Sequence, residues 1–250
     1  MRLFIFLSAV VVGAALWSCN GNGTDRNANT PIMTRETPPP VTTSAESSMP
    51  HSGAGNFENL VADYESKDRV IWQKPGMAIA MLGDLKGKTV ADIGAGTGYF
   101  TFRMVPLAEK VIGVDIDPRF ISFMDSIKVR LPEQYRPHFE SRLAKPDDPM
   151  LGPEEADAVI IVNTYGYIEN RVQYLQRLSN GMKPQADLLI IDFKKNNLSV
   201  GPPDAYKISI NQVEKELNAA GFQVEKIDNE ALDYQYIVLA KKSNPADGGQ

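Results

Sequence analysis

The chain has 250 residues, of which 43% are hydrophobic and 23% charged, a composition typical of a globular protein. Its formal net charge is −5 and it has no basic block, so the charge pattern excludes an electrostatic footprint for nucleic acid. A single cysteine excludes an internal disulfide, and two histidines argue against a zinc site. We therefore expect one large domain or two small ones, without a metal.

The N-terminus has the pattern of a processing signal. Arg2 precedes an apolar run from Leu3 to Trp17, which is too short to span a bilayer stably but suits a signal-peptide core. The run ends at Cys19 and resembles a bacterial lipoprotein signal, in which this cysteine is lipidated, although Trp17 departs from the usual smaller residue. The expectation is a signal over residues 1–19 and a lipid anchor in the bacterial cell envelope, facing the periplasm or in the outer membrane. An uncleaved anchor in the inner membrane is the alternative.

Three segments follow the predicted signal. Residues 20–56 are rich in Asn, Gly, Thr, Ser and Pro and predict a disordered linker. Residues 57–242 carry the apolar periodicity of a folded domain, and residues 243–250 form a polar tail. The domain begins with apolar residues at helical spacing, where Pro75 is placed to open a helix.

A glycine-rich turn dominates the domain. The apolar run from Val90 to Ile93 predicts a buried parallel strand and leads directly into Gly94, Gly96 and Gly98. A strand, a glycine turn and a helix N-terminus together form a site for a nucleotide-like ligand. The dinucleotide fingerprint needs a small residue where Tyr99 stands, and the Gly-Lys-Ser/Thr of a P-loop does not follow.

The run from Val90 to Gly98, VADIGAGTG, resembles the first motif of the class I S-adenosylmethionine (SAM)-dependent methyltransferases. In that family the loop passes under the methionine part of SAM, and the strand-end acid helps to hold its amino group. The lead-in at 64–75 is similar to a segment that often folds over SAM; alternatively, Trp72 is a core aromatic residue and Arg69 a surface ion-pair partner. The resemblance implies SAM as cofactor, with contacts from Asp92, Gly94, Ala95, Gly96 and Gly98.

The next strand, Val111 to Asp117, ends in two acids. An acid about twenty residues past the glycine loop is placed to accept hydrogen bonds from ribose hydroxyls. Asp115 stands where the family keeps this acid, and its neighbour Ile116 is included among the cofactor contacts. Asp117 is predicted to cap the following helix before Pro118; the alternative gives Asp117 the ribose role.

The resemblance also implies an acid for the adenine amino group after the third strand, predicted at 139–143. Asp147 is assigned to this role, with Asp148 as the alternative, and either acid suits a turn cap equally well.

The fourth predicted strand, Ala156 to Val162, ends where a methyl acceptor approaches the cofactor. Family members with a similar lead-in commonly have an acid here, then a tyrosine and histidines. This chain has Asn163 in place of the acid, keeps Tyr165, and has Gly166 and Tyr167 in place of histidine. Asn163 is assigned to the cofactor, and the tyrosines are candidates for positioning the acceptor or moving a proton. The alternative is that both tyrosines only line the pocket.

Strands at 188–193, 222–227 and 236–240 complete the pattern, and the last two are expected to pair antiparallel at one edge. The predicted fold is a doubly wound α/β domain with a mostly parallel, seven-stranded sheet and an antiparallel edge strand. This is the Rossmann-like fold of the family that the glycine loop resembles.

The predicted function is transfer of a methyl group from SAM to an unidentified acceptor, taken to be a small molecule. The first alternative is an exported lipoprotein that keeps the fold and binds a ligand or partner without methyl transfer. A nicotinamide oxidoreductase is a further alternative, against which Tyr99 argues.

Overall fold

A computed structural model describes residues 56–195 and 200–243. The predicted signal with Cys19, all of the linker except Asn56, and the tail after Ser243 lie outside the described residues. No helix in the described part of the chain is long and apolar enough to cross a bilayer.

Helices and strands alternate through most of the domain, after three helices that come first. The helices are α1 (Phe57–Tyr64), α2 (Arg69–Gln73), α3 (Pro75–Ala80), α4 (Thr101–Met104), α5 (Pro118–Lys128), α6 (Arg171–Gly181) and α7 (Ile210–Ala219). The strands are β1 (Thr89–Ile93), β2 (Lys110–Asp115), β3 (Phe139–Leu143), β4 (Ala156–Val162), β5 (Met182–Phe193), β6 (Phe222–Asp228) and β7 (Gln235–Lys242).

The seven strands form one sheet in the order β3-β2-β1-β4-β5-β7-β6. Strands β1 to β5 pair in parallel, whereas β7 is antiparallel to both β5 and β6. This confirms the predicted α/β fold with antiparallel pairing at one edge. The strand order reverses between β1 and β4, and ligands of doubly wound sheets bind at the carboxyl ends of such strands. The glycine loop and Asn163 follow these two strands.

Each face of the sheet carries its own apolar cluster, because successive side chains of a strand point to opposite faces. Ala91 and Ile93 of β1 pack with Leu175 of α6 and Leu217 of α7 in one cluster. Val90 of β1 packs in the other cluster, which includes residues of α3 and α4. The two layers of helices fix the carboxyl ends of β1 and β4 in position.

Three local predictions can be compared directly with the structure. Pro75 is the first residue of α3, and the Asp117 side chain caps α5 by accepting from the Arg119 backbone N–H at 2.9 Å, as predicted. The strand predicted at 188–193 was too short, since β5 begins at Met182. Met182 pairs with Ala156 across an irregularity in the β4–β5 register, so no clean alternation marks the start of the strand.

Candidate functional site

The glycine loop adopts backbone conformations that L-residues other than glycine rarely take. Gly94, Gly96 and Gly98 have φ of +72°, +56° and +83°. A Cβ added at Gly94 would lie 2.3 Å from Thr164 Oγ1, and one at Gly98 would lie 2.4 Å from the Phe102 ring. Both conformation and space therefore require glycine at these two positions.

Asp115 connects the end of β2 to the glycine loop. It is 6% exposed, and its oxygens accept from the backbone N–H groups of Gly96 at 2.8 Å and Asp117 at 2.9 Å. A carboxylate only accepts when ionised, so the group at this position suits donors such as backbone N–H groups and hydroxyls. Ile116 is 39% exposed and lines an open cavity of about 270 Å³ with Asp117 and its neighbours. Ile116 and Asp117, the two residues that follow the predicted ribose acid, thus border one space.

Asp117 borders this space, but its side chain bonds to the first turn of α5. Its side chain accepts from the Arg119 backbone and forms an ion pair with the Arg119 guanidinium at 2.6 Å. These bonds favour the capping role over the ribose role for Asp117.

Asp92, the acid at the end of β1, is almost fully buried. Thr101 Oγ1 donates to its Oδ2 at 2.6 Å, while burial raises the pKa of the carboxyl to about 6. The nearby Arg69 favours the charged form, so Asp92 is predominantly ionised at neutral pH. An ionised carboxylate at this position suits a ligand ammonium group.

The N-terminal helices cover the glycine loop. A Cβ at Gly96 would lie 3.0 Å from the Tyr64 ring, which stacks on Phe120 with ring centroids 5.5 Å apart. Thr97 Oγ1 donates to Glu65 Oε1 at 2.6 Å, which attaches the loop to the end of α1. The glycine loop is therefore covered by residues that precede it in the chain.

Arg69 differs from the surface ion-pair partner that one alternative expected. Its guanidinium lies 4.1 Å from the Tyr99 ring centroid and donates to the Tyr64 carbonyl at 2.7 Å and to Gln73. Trp72 packs beside Phe193, with ring centroids 6.1 Å apart. The lead-in thus packs against the loop and against the end of β5.

Asn163 begins the turn after β4. It has a φ of +56°, and its backbone N–H donates to the Ile191 carbonyl at 2.9 Å. Its Oδ1 accepts a hydrogen bond from Gln235 Nε2. The residue therefore lies beside the glycine loop, which its neighbour Thr164 contacts at Gly94.

The two tyrosines of this turn have different surroundings. Tyr165 is fully buried and donates to Glu216 Oε2 at 2.6 Å; Arg171 also donates to Glu216, at 2.8 Å. Burial and the Glu216 carboxylate raise the pKa of Tyr165 above its ordinary value. Tyr167 stacks on Tyr206 at 4.8 Å, and burial raises its pKa to about 12. Both hydroxyls are neutral at pH 7, and Tyr165 anchors the turn to α7.

Gly166 stands where the fold has no room for a side chain. A Cβ at Gly166 would lie 1.8 Å from the Tyr206 carbonyl oxygen, so any side chain would displace the chain at 204–206.

Gly166→Ala is therefore expected to lower the free energy of unfolding by about 1–3 kcal/mol, the usual cost of overpacking. Gly76→Ala is the matched control: Gly76 lies in α3 with nothing within 4 Å of its added Cβ. Because alanine restricts the unfolded chain, the control is expected to be neutral or to stabilise by up to about 1 kcal/mol. Urea unfolding measures both variants, and equal free energies would contradict this account of Gly166.

Asp147 and Asp148 lie on the loop after β3. Asp147 forms an ion pair with Arg177 of α6, which lowers the pKa of the carboxyl. Asp148 accepts from the Met150 backbone N–H at 2.7 Å, the turn-capping role that the sequence left open. Among the described residues, no hydrogen bond or ion pair joins either acid to the glycine loop, and the adenine assignment stays a prediction.

Asp192, at the end of β5, is a site residue that the sequence analysis did not single out. Its Oδ2 accepts from the Gly166 backbone N–H at 3.2 Å and its Oδ1 from the Phe193 N–H at 2.7 Å. Burial raises the pKa of this carboxyl to about 6. A lone acid in an apolar strand gives no sequence signal of this role, since only tertiary structure brings Gly166 to it.

The raised pKa of Asp192 predicts a pH dependence of stability. An acid with a folded pKa of about 6 and an unfolded pKa of about 3.9 binds more protons when folded, so its contribution falls as pH rises between these values. The difference in unfolding free energy between wild type and Asp192→Asn should therefore shift by about 2 kcal/mol against wild type from pH 4 to pH 7. Denaturant unfolding across this range measures it, and a constant difference would contradict the assignment.

Comparison with known proteins shows which proteins this domain resembles. Residues 91–188 match the family model of a methyltransferase domain. A SAM-dependent methyltransferase structure from Aquifex aeolicus has a TM-score of 0.68 at 22% identity, covering 74% of this chain and 97% of that one. The structure of a [4+2]-cyclase, SpnF, has a TM-score of 0.60 at 13% identity, covering 68% of this chain and 80% of that one.

Curated relatives match a part of their own length. A tRNA U34 carboxymethyltransferase of Shewanella putrefaciens is 31% identical over 140 residues, or 50% of this chain and 38% of that protein. A relative of the same name from Pseudomonas putida is 30% identical over 128 residues, or 49% of this chain and 39% of that protein. The chain thus spans about two fifths of the curated relatives it matches.

Residues 91–188 thus resemble a methyltransferase domain, and the fold is similar to that of a solved SAM-dependent methyltransferase. The cofactor implied by this class is S-adenosylmethionine. The residues present fit it, because acids stand at the ends of β1 and β2 and the acid of β2 contacts the backbone of the glycine loop.

Proposed function

We propose that this protein binds SAM at the glycine loop and transfers its methyl group to a small-molecule acceptor. The observation that carries the proposal is the contact between Asp115 and the Gly96 backbone N–H, beside the cavity that Ile116 lines. This arrangement supports a role for Asp115 toward ribose hydroxyls, beside a loop proposed to lie under the methionine part of SAM.

The proposed cofactor contacts follow the placement of each side chain. Asp92 would face the cofactor ammonium, Asp115 the ribose hydroxyls and Ile116 the adenine, while the backbone of residues 94–98, with Gly94, Ala95, Gly96 and Gly98, would lie under the methionine part. Asn163 would contact the amino-acid end, because it lies beside Gly94 across the β1–β4 crevice. Asp147 is proposed as the adenine contact on the resemblance to the family alone.

The cofactor supplies an activated methyl group on its sulfonium, which leaves alignment as the main task of the protein. A protonated acceptor would also have to lose a proton when it receives this methyl group. Tyr165 is unsuited to take this proton because Glu216 already accepts from its hydroxyl. Tyr167, with a pKa raised to about 12, is a hydrogen-bond donor at neutral pH rather than a base.

A small acceptor is favoured over a nucleic acid by the charge of the chain. Its formal net charge is −5, and no basic block is present to neutralise a phosphate backbone. The curated relatives named for tRNA match about half of this chain, so their acceptor is an outcome to be tested.

A specific observation favours a second candidate, a ligand-binding protein without transfer activity. Asn163 replaces the acid of similar sequences, and the Tyr206 backbone fills the space of a side chain at Gly166. Such a protein would bind SAM or S-adenosylhomocysteine and release no methylated product.

Labelled SAM distinguishes the two candidates. The purified protein is incubated with labelled SAM and either a small-molecule extract or total tRNA, and methylated products are separated by size. Label in the small-molecule fraction supports the proposal. Label in tRNA would contradict it and indicate a tRNA acceptor, as in the names of the curated relatives. Cofactor binding without labelled product in either fraction supports the binding protein.

We also propose that Cys19 is lipidated and anchors the chain in the bacterial cell envelope. The proposal rests on the apolar run that ends at this cysteine. Cys19→Ala should release the protein into the soluble fraction of fractionated cells. Unchanged membrane retention would instead support an uncleaved N-terminal anchor.

A further inference from the structure

A chain of side-chain hydrogen bonds runs from α2 to the turn after β4. Arg69 Nε donates to Gln73 Oε1 at 2.5 Å, and Gln73 Nε2 donates to Gln235 Oε1 at 3.1 Å. Gln235 Nε2 then donates to Asn163 Oδ1. Gln73 and Gln235 are fully buried. We call these four residues the amide relay.

The first residue of the amide relay fixes the direction of every bond in it. A guanidinium has donors and no acceptor, so Gln73 must turn its Oε1 toward Arg69 and donate with its Nε2. The same reasoning turns Gln235 Nε2 toward Asn163, which accepts with Oδ1. The group of Asn163 left for a ligand is therefore Nδ2, which donates to no protein group among the described residues.

The surroundings of Asn163 indicate which ligand group this donor suits. Asp92 and Asp115 are buried acids at the ends of the neighbouring strands β1 and β2, and they suit an ammonium and hydroxyls rather than an anion. Asn163 adjoins Gly94 through Thr164, at the loop proposed to lie under an amino-acid group. A neutral donor here complements the carboxylate of that group.

We propose that Arg69, Gln73 and Gln235 are positioning residues that hold Asn163 with Nδ2 toward the methionine carboxylate of SAM. This rests on the proposed function, because it requires SAM at the glycine loop. An unsupported asparagine can present either its oxygen or its nitrogen to a ligand. The amide relay selects the nitrogen.

Gln235→Glu tests the polarity of the relay at a buried residue. An ionised carboxylate at position 235 only accepts, so Asn163 must turn Nδ2 toward it and present Oδ1 to the ligand. We expect the affinity for S-adenosylhomocysteine at pH 8, measured by calorimetry, to fall about 10- to 100-fold, the range for one hydrogen bond to a charged group. The affinity for 5′-methylthioadenosine, which lacks the amino-acid part, should stay within about 2-fold of wild type.

The pH dependence of this loss separates polarity from packing. Once the introduced carboxyl is protonated, it donates to Asn163 as glutamine does, so the ratio of variant to wild-type affinity should approach one as pH falls. Arg69 of α2, Asp192 of β5 and Lys194 after β5 carry the charges near position 235, and they are present in both proteins, so the ratio reports the change at position 235. Because the amino-acid part carries both an ammonium and a carboxylate, added charge alone has little net effect on binding.

Two further variants keep the proposal falsifiable. Gln235→Met removes the polarity without a titrating group, and its loss of affinity should not vary with pH relative to wild type. Asn163→Asp presents an oxygen to the ligand while leaving Gln235 intact, and should lose about as much affinity at pH 8 as is expected for Gln235→Glu. It takes the place of Gln235→Glu in the test if circular dichroism shows that variant to be poorly folded.

Several results would overturn the relay. They are S-adenosylhomocysteine binding by folded Gln235→Glu and by Asn163→Asp at wild-type strength, equal weakening of both ligands, or a loss in Gln235→Glu that does not change with pH. Absence of S-adenosylhomocysteine binding by the folded wild-type protein would instead refute the proposed function.

Discussion

Asp115→Asn is expected to weaken SAM binding by about 10- to 100-fold, whereas Asp117→Asn should leave it within about 2-fold of wild type. The two acids are two residues apart, yet their bonds differ. Asp115 accepts from the Gly96 and Asp117 backbone N–H groups with separate oxygens, and an asparagine amide would replace one of these acceptors with a donor. An asparagine at position 117 would still cap α5, because asparagine is as good an N-cap as aspartate.

Calorimetric titration of both variants with SAM measures this difference. Thermal unfolding provides the control, since a loss of binding is informative only if the Asp115→Asn protein folds. A larger loss for Asp117→Asn than for Asp115→Asn would contradict the ribose assignment and support the alternative that gave this role to Asp117.

Gly94→Ala is expected to lower the free energy of unfolding by about 2–5 kcal/mol. The φ of +72° costs an L-residue about 1–2 kcal/mol, and the added Cβ, 2.3 Å from Thr164 Oγ1, adds an overpacking cost of about 1–3 kcal/mol. The turn after β4 would have to move away from the glycine loop to make room for the added Cβ. Because both segments belong to the proposed SAM site, SAM binding should also fall.

Gly83→Ala is the matched control for backbone strain. Gly83 has a φ of +70° and nothing within 4 Å of its added Cβ, so its variant should lose only about 1–2 kcal/mol. Urea unfolding of both proteins isolates the packing cost. Equal losses would show that the contact between Gly94 and Thr164 has no energetic weight.

The sheet was predictable from sequence because its strands are apolar runs bounded by glycine, proline and acids. Val90 to Ile93 before three glycines predicts β1 with little ambiguity, and Asp117 followed by Pro118 marks the start of α5. The start of β5 was not predictable, since Lys183 to Gln185 interrupt the apolar pattern that continues from Ala186.

The candidate site was predictable only where chain-local geometry defines it. The conformations of Gly94, Gly96 and Gly98 are local, and the sequence indicated all three. Asp192 and Gln235 are long-range features, because each acts on a turn whose residues lie at least 26 positions away. A buried polar side chain is stable only with its partner, and this partner is set by strand order rather than by sequence spacing.

Tyr165 illustrates the same limit for the direction of a side chain. Its position after β4 suggested a role toward the acceptor, yet the hydroxyl donates to Glu216 of α7, a residue 51 positions away. Gly166 is explained only by the Tyr206 carbonyl beside it, which the sequence could not place there.

Titration of the purified protein with S-adenosylhomocysteine tests the central claim most directly. The account predicts saturable binding of one molecule per chain with a dissociation constant in the micromolar range, weakened about 10- to 100-fold in Asp115→Asn and retained in Asp117→Asn. The absence of binding to a protein that shows cooperative thermal unfolding would contradict it.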